Sequence, residues 1–182
     1  MRVQAYYLPQ AVLSSVLFVS LPGAAADASR PRLMTPQELT AVPARPADMR
    51  VEYGPDSNQF GELRLPAGSG PHPVVALIHG GCFKAAYASL RDLAPMGDAL
   101  KAQGIATWNV EYRRLGQPGG GWPGTYQDVG HAVDQLRALA ETYRPDLNRV
   151  VIVGHSAGGI SRCGRHRAPR FHHRARYTRM IR

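Results

Sequence analysis

The feature that most constrains this chain is a junction. Arg149-Val150-Val151-Ile152-Val153 runs without a break into Gly154-His155-Ser156-Ala157-Gly158. A short apolar run of β-branched residues predicts a strand buried on both faces of a sheet. The pentapeptide fits G-x-S-x-G. A strand that turns through this pattern into a helix is a nucleophile elbow, in which small residues flank the serine and its Oγ stands above the sheet edge. Outside that context the same pattern is a glycine-rich turn with an incidental serine.

The rest of the chain supplies the context. Val74-Val75-Ala76-Leu77-Ile78 is a second continuous apolar run, and Ile105 to Tyr112 a third strand. Between them, helical signals run from Ser89 to Gln103, with Pro95 in the first turn of the main helix and Gly104 as its stop. After the glycine-rich loop Gly116 to Gly121, Thr125 is expected to cap a helix. Its apolar stripe is Val129, Val133, Leu136, Ala140 and Tyr143, and Pro145 ends it. Upstream, Arg50 to Tyr53 and Phe60 to Leu65 alternate apolar with polar residues around the turn Gly54 to Asn58, an antiparallel hairpin. The order hairpin, then βαβαβ, predicts right-handed crossovers. The fold class is α/β, a doubly wound, mostly parallel sheet.

A second motif comes directly after the Val74–Ile78 run: His79-Gly80-Gly81-Cys82-Phe83. Acyl transfer needs preorganised N–H donors for a developing oxyanion. One candidate donor is Ala157 N–H, and the others are the backbone of Gly80, Gly81 or Cys82, a choice the sequence leaves open. A plain glycine turn is the alternative. Cys82 has no base tied to it and is read as a loop-packing residue. His155 is read as a packing or orienting residue. Trp108, Trp122, Tyr87 and Phe83 either line an acyl pocket or pack in the core and loops.

Together the two motifs resemble the α/β-hydrolase esterase and lipase group, in particular its kynurenine-formamidase-like and feruloyl-esterase-like branches. Glu111-Tyr112-Arg113 is similar to the D/E-Y-R segment of those enzymes, and Asp128 also fits their pattern. The resemblance spans about Val51 to Gly159. It implies an acyl-enzyme mechanism with Ser156 as nucleophile. The substrate would be a small-molecule carboxylic ester, with an aryl formamide as the nearest variant. No metal or organic cofactor is expected. Arg113 and Asp128 are read as a structural ion pair.

The flanks read differently. Residues 1–26 have the pattern of a signal peptide. Arg2 is the only charge before Asp27, Ala11 to Leu21 is apolar apart from three serines, and Ala24-Ala25-Ala26 offers a cleavage site. The apolar run is too short for a comfortable span. Export to a periplasmic or extracellular space is therefore expected, with no stable membrane insertion after cleavage. Residues 27–49 are a proline-rich lead-in, where Thr35-Pro36-Gln37-Glu38 has capping-box spacing. Residues 50–159 form a partial α/β-hydrolase domain, and 160–182 a basic tail. Cys82 and Cys163 give neither a disulfide framework nor metal-ligand spacing.

The net charge of +9 suggests a nucleic-acid partner only until it is located. Eight arginines and no Lys, Asp or Glu lie between Ile160 and Arg182, and the body is close to neutral. No nucleic acid is expected as partner, and the oligomeric state is left open. In this fold the acid and base come after the serine in the order Ser, Asp or Glu, His. Here no acid comes after Ser156, and His166, His172 and His173 lie in a segment too short for the remaining strands. One reading frame away, suitable codons for Gly159 to Arg165 give His-Leu-Ala-Leu-Trp-Ala, a good elbow helix. The tail is thus expected to be out of frame and the chain an inactive, truncated form. The alternatives are a small exported protein whose tail binds nucleic acid or anionic lipid, and a non-catalytic domain on the same scaffold.

Overall fold

The computed structural model describes residue 32 and residues 34–163. The segment expected to be a signal peptide and the tail beyond Cys163, with its three histidines, lie outside the described residues. A short helix, α1 (Pro36–Ala41), opens the described chain behind a capping box: Glu38 N donates to Thr35 Oγ1 at 3.2 Å and Thr35 N to Glu38 Oε2 at 2.8 Å. The hairpin comes next as β1 (Met49–Glu52) and β2 (Phe60–Arg64), antiparallel with Met49 opposite Leu63. Asp56 Oδ1 accepts from Asn58 N at 2.9 Å and shapes the turn between them.

Three strands and their crossovers complete the sheet. β3 is His72–Ile78 and β4 is Ala106–Val110; between them a 3₁₀ turn, Leu90–Leu93, leads into α2 (Ala94–Ala102). The helical stretch from Ser89 is thus a 3₁₀ turn followed by the main helix, which has Pro95 in its first turn as expected. Ser89 caps the first, its Oγ accepting from Arg91 N at 3.3 Å. Gly104 ends the unit at a φ of 79°. Then come α3 (Gly124–Asp134), α4 (Leu136–Tyr143), β5 (Pro145–Gly154) and α5 (Ala157–Cys163). The sheet order is β1-β2-β4-β3-β5, with β3 parallel to both β4 and β5. Helices packed on a mixed sheet with this parallel half make the architecture of an α/β hydrolase.

β3 shows why a continuous apolar run was required. Val74, Ala76 and Ile78 join one core with Trp108, Val129, Val133, Leu136 and Leu139, while Val75 and Leu77 meet Leu93 on the opposite face. Each of these valine, leucine and isoleucine side chains contributes about 1.5–3 kcal/mol on burial. Trp108 is a core residue, and its Nε1 donates to Ala132 O at 2.7 Å.

Three local expectations are corrected. Thr125 does not cap a helix, because the helix already starts at Gly124; its Oγ1 instead accepts from Gly121 N and donates to Arg113 O, closing the glycine-rich loop. The helix tightens at Gln135, whose N–H meets both His131 O and Val133 O; Leu136 is buried as expected, but the stripe then continues at Leu139, and Ala140 is only half-buried. β5 is not buried throughout: among the described residues it pairs with β3 alone, and Val151 is 52% exposed. The helix after the elbow runs to Cys163, and its own Ser161 is buried.

Candidate active site

The register brings the site together. Ile78 pairs with Val110 on one side and Gly154 on the other. The carboxyl ends of three parallel strands are therefore level, and the loops that leave them share a layer. After β5 the backbone turns at Ser156, whose φ is 51°. A non-glycine residue in that left-handed region costs about 1–2 kcal/mol. Three backbone bonds hold it there: His155 N to Ile78 O at 3.0 Å, Gly158 N to His155 O at 2.9 Å and Gly159 N to Ser156 O at 2.9 Å. The turn admits no side chain at Gly158, where a Cβ would stand 2.3 Å from Ile78 O and 2.5 Å from His79 O. Ser156 is exposed, and among the described residues its Oγ has no hydrogen-bond partner.

The loop after β3 packs directly on this turn. A Cβ on Gly80 would lie 2.9 Å from His155 O and 3.0 Å from Ser156 Cβ, so only glycine permits the approach. Gly81, Cys82 and Phe83 then take positive φ values of 98°, 51° and 60° in succession. Lys84 N bonds Gly81 O at 2.9 Å and closes the turn; Leu115 N bonds Phe83 O at 2.7 Å and fastens it to the next loop. Cys82 lies on the outside of this left-handed run and is exposed, so its expected packing role is not found. His155 is also exposed, and its orienting role is carried by its backbone. The N–H groups of Ala157, Gly81 and Cys82 are engaged by no backbone partner among the described residues.

Behind the loop lies a cluster that no sequence motif assembled. His79, Glu111, Tyr112 and Arg114 are all buried. Glu111 Oε1 lies 3.0 Å from His79 Nε2 and 3.0 Å from Arg114 Nη2, and the rings of His79 and Tyr112 stack at 4.3 Å. Burial by itself pushes the Glu111 carboxyl up. The hydrogen bond from His79, the attraction of His79 and Arg114, and the Tyr112 N–H outweigh it and hold the group below its usual range. Burial pushes the Tyr112 phenol up, well above its usual value. The signal for this cluster was present: charged residues directly after two apolar strands have no solvent to turn to.

Arg113 and Asp128 form the expected ion pair, with Nε to Oδ2 at 2.8 Å and Nη2 to Oδ1 at 2.7 Å. Of the candidate aromatic lining, Phe83 meets Tyr126 at 5.8 Å and Trp122 meets Tyr126 at 5.1 Å, but Trp122 and Tyr87 stand exposed rather than in a pocket. Among the described residues no group of three His, Cys, Asp or Glu could hold a metal ion.

Comparisons with known proteins agree with this geometry. Residues 62–161, more than half of the chain, match the BD-FAE family. Esterase LipC of Mycobacterium tuberculosis (strain ATCC 25618 / H37Rv) is 30% identical over 112 residues, covering 60% of this chain and 27% of LipC. The chain thus spans about a quarter of the length of that curated relative. A bacterial heroin esterase superposes with a TM-score of 0.54 at 30% identity, over 62% of this chain and 36% of its own. Est2 from the planctomycete Thermogutta terrifontis gives a TM-score of 0.58 at 20% identity, over 65% and 45%, a likeness of fold alone. With its elbow, its glycine loop and its sheet order, this chain belongs to the BD-FAE family of α/β hydrolases.

Proposed function

We propose that this chain carries the nucleophile and oxyanion loop of a serine esterase that acts on small carboxylic esters. One observation carries the reading. Ser156 is held in a left-handed turn, exposed, with the Gly80 backbone against it. Ser156 Oγ would attack the ester carbonyl carbon and lose its proton to a base. The carbonyl oxygen becomes an oxyanion facing Ala157 N–H and the N–H groups of the Gly80–Cys82 loop. Collapse expels the alcohol, which takes up a proton, and water then cleaves the acyl-enzyme. An aryl formamide is the variant substrate whose carbonyl fits the same steps. Export through residues 1–26 belongs to the same reading, supported by the apolar run Ala11 to Leu21 and the alanines before Asp27.

The sequence after Ser156 contains no Asp or Glu to orient a histidine base. The informative substrate is therefore an activated ester whose leaving group departs without a proton. With p-nitrophenyl acetate, the full chain is expected to form an acetyl adduct on Ser156 and to release p-nitrophenol faster than the Ser156→Ala variant. Equal release by the two proteins, with no adduct seen by mass spectrometry, would overturn the reading.

A further inference from the structure

The buried cluster behind the glycine loop takes no part in bond making, yet its bonds converge on that loop. Tyr112 Oη donates to His79 O at 2.7 Å and to Gly80 O at 3.3 Å. The His79 ring meets Gly80 O through Nδ1 at 2.9 Å. Both carbonyls are therefore turned toward the interior. The only cis peptide bonds among the described residues are those before Pro71 and Pro123, so the bonds from His79 to Gly81 are trans. In a planar trans peptide the C=O and N–H point in opposite directions. Fixing the carbonyls of His79 and Gly80 inward thus turns the N–H groups of Gly80 and Gly81 away from the cluster. The elbow packs on that same stretch of backbone, with Ser156 Cβ 3.0 Å from where a Gly80 Cβ would be.

One carboxylate holds the His79 ring directly and Tyr112 through its backbone N–H. Because Ile78 pairs with Val110, the next residues, His79 and Glu111, emerge side by side. Glu111 Oε1 binds His79 Nε2 at 3.0 Å and Tyr112 N at 3.0 Å, and Oε2 accepts from Leu90 N at 3.3 Å. Arg114 Nη2 lies on Oε1 at 3.0 Å and balances the charge. A buried carboxylate with this many partners is fixed in place, and it fixes the imidazole in turn.

We infer that Glu111 is the positioning residue of the oxyanion loop, acting through His79 and Tyr112 on the peptide planes that present the Gly80 and Gly81 N–H groups. The inference rests on the reading of Ser156 as nucleophile. Glu111 touches no reacting atom; its effect is felt where charge develops, in the transition state, and not in substrate binding.

The test is the first turnover of p-nitrophenyl acetate, with kcat and KM read as the limiting rate and half-saturation of Ser156 acetylation, by the full chain and by its Ser156→Ala, Glu111→Gln and Tyr112→Phe variants. Losing one oxyanion donor typically costs about 10²–10³ in turnover, and misaligning it costs part of that. Glu111→Gln is expected to lower kcat about tenfold or more with KM within about twofold, the split that marks a transition-state interaction. Amide exchange at Lys84 N–H, which bonds Gly81 O, should quicken in that variant while the β3 amides keep their rates. Tyr112→Phe removes only the hydroxyl and keeps the ring stack, so it carries the test if Glu111→Gln does not fold; its kcat should fall by a smaller factor. Unchanged kcat in both variants overturns the role of Glu111 and leaves Ser156 standing. No difference between the unaltered chain and Ser156→Ala overturns the nucleophile, and this inference with it.

Discussion

Asp128 and Glu111 are both buried carboxylates, each paired with an arginine, and their other partners separate them. Asp128 is gripped by the Arg113 guanidinium through two bonds, by Arg113 N at 3.0 Å and by Gln59 Nε2 at 2.7 Å. Those partners join α3 to the loop after β4 and to the hairpin end, so this pair ties elements together. Glu111 is held by a histidine and a tyrosine whose remaining bonds run to the glycine loop beside Ser156. The same chemistry, an ionised carboxylate satisfied in the interior, fastens the fold in one place and aims a backbone in the other.

The largest expected effect breaks the fastening. Asp128→Ala strands the Arg113 charge; Arg113 keeps 21% exposure and rehydrates in part, which places the loss at the low end for a buried pair, about 3 kcal/mol. Urea unfolding measures it, and acetylation of Ser156 in the folded protein should keep its rate. A rate that falls with stability intact would erase the distinction between the two carboxylates.

Acid titration sharpens the comparison. The folded Glu111 carboxyl lies below its ordinary value of 4.5. A depressed carboxyl contributes stability that is fully present above the unfolded value and is lost as the pH falls through the folded one. Unfolding free energy tracked downward from pH 6 should therefore drop below about pH 4.5, and less steeply in Glu111→Gln. Equal slopes would mean that Glu111 is not held ionised by the cluster. The smallest effect is a control at the surface. Arg137 reaches Asp134 at 3.3 Å with both half in solvent, and Arg137→Ala should change stability by less than about 0.5 kcal/mol.

The features legible in the sequence divide along the same line. The strands were legible because a parallel strand between two helical layers must be apolar on successive residues, as Val74 to Ile78 are. The elbow was legible because Gly158 lies so close to the Ile78 and His79 carbonyls that no other residue fits. Arg113 and Asp128 could be paired through a family resemblance. The His79–Glu111 contact depends on the register of β3 against β4, which no local pattern encodes. The exposure of Cys82 arises from three consecutive left-handed residues, and only one of them is a glycine. The half-open face of β5 depends on its neighbours in the sheet, and its own apolar run cannot report them.

The level strand ends have a consequence for how the molecule is made. Ile78 and Gly154 meet across a long stretch of intervening chain that holds both crossovers. Loops of that length close at an entropic cost before any contact repays it, so such pairings form slowly and late. The Ser156 turn rests on Ile78 O, and the Gly80 backbone rests on His155 and Ser156. Neither half of the site can take shape in a nascent chain that lacks the other. If Ser156 is the nucleophile we propose, its acetylation is a gauge of whether β3 and β5 have paired, and forms of this chain in which they have not should carry an inert serine.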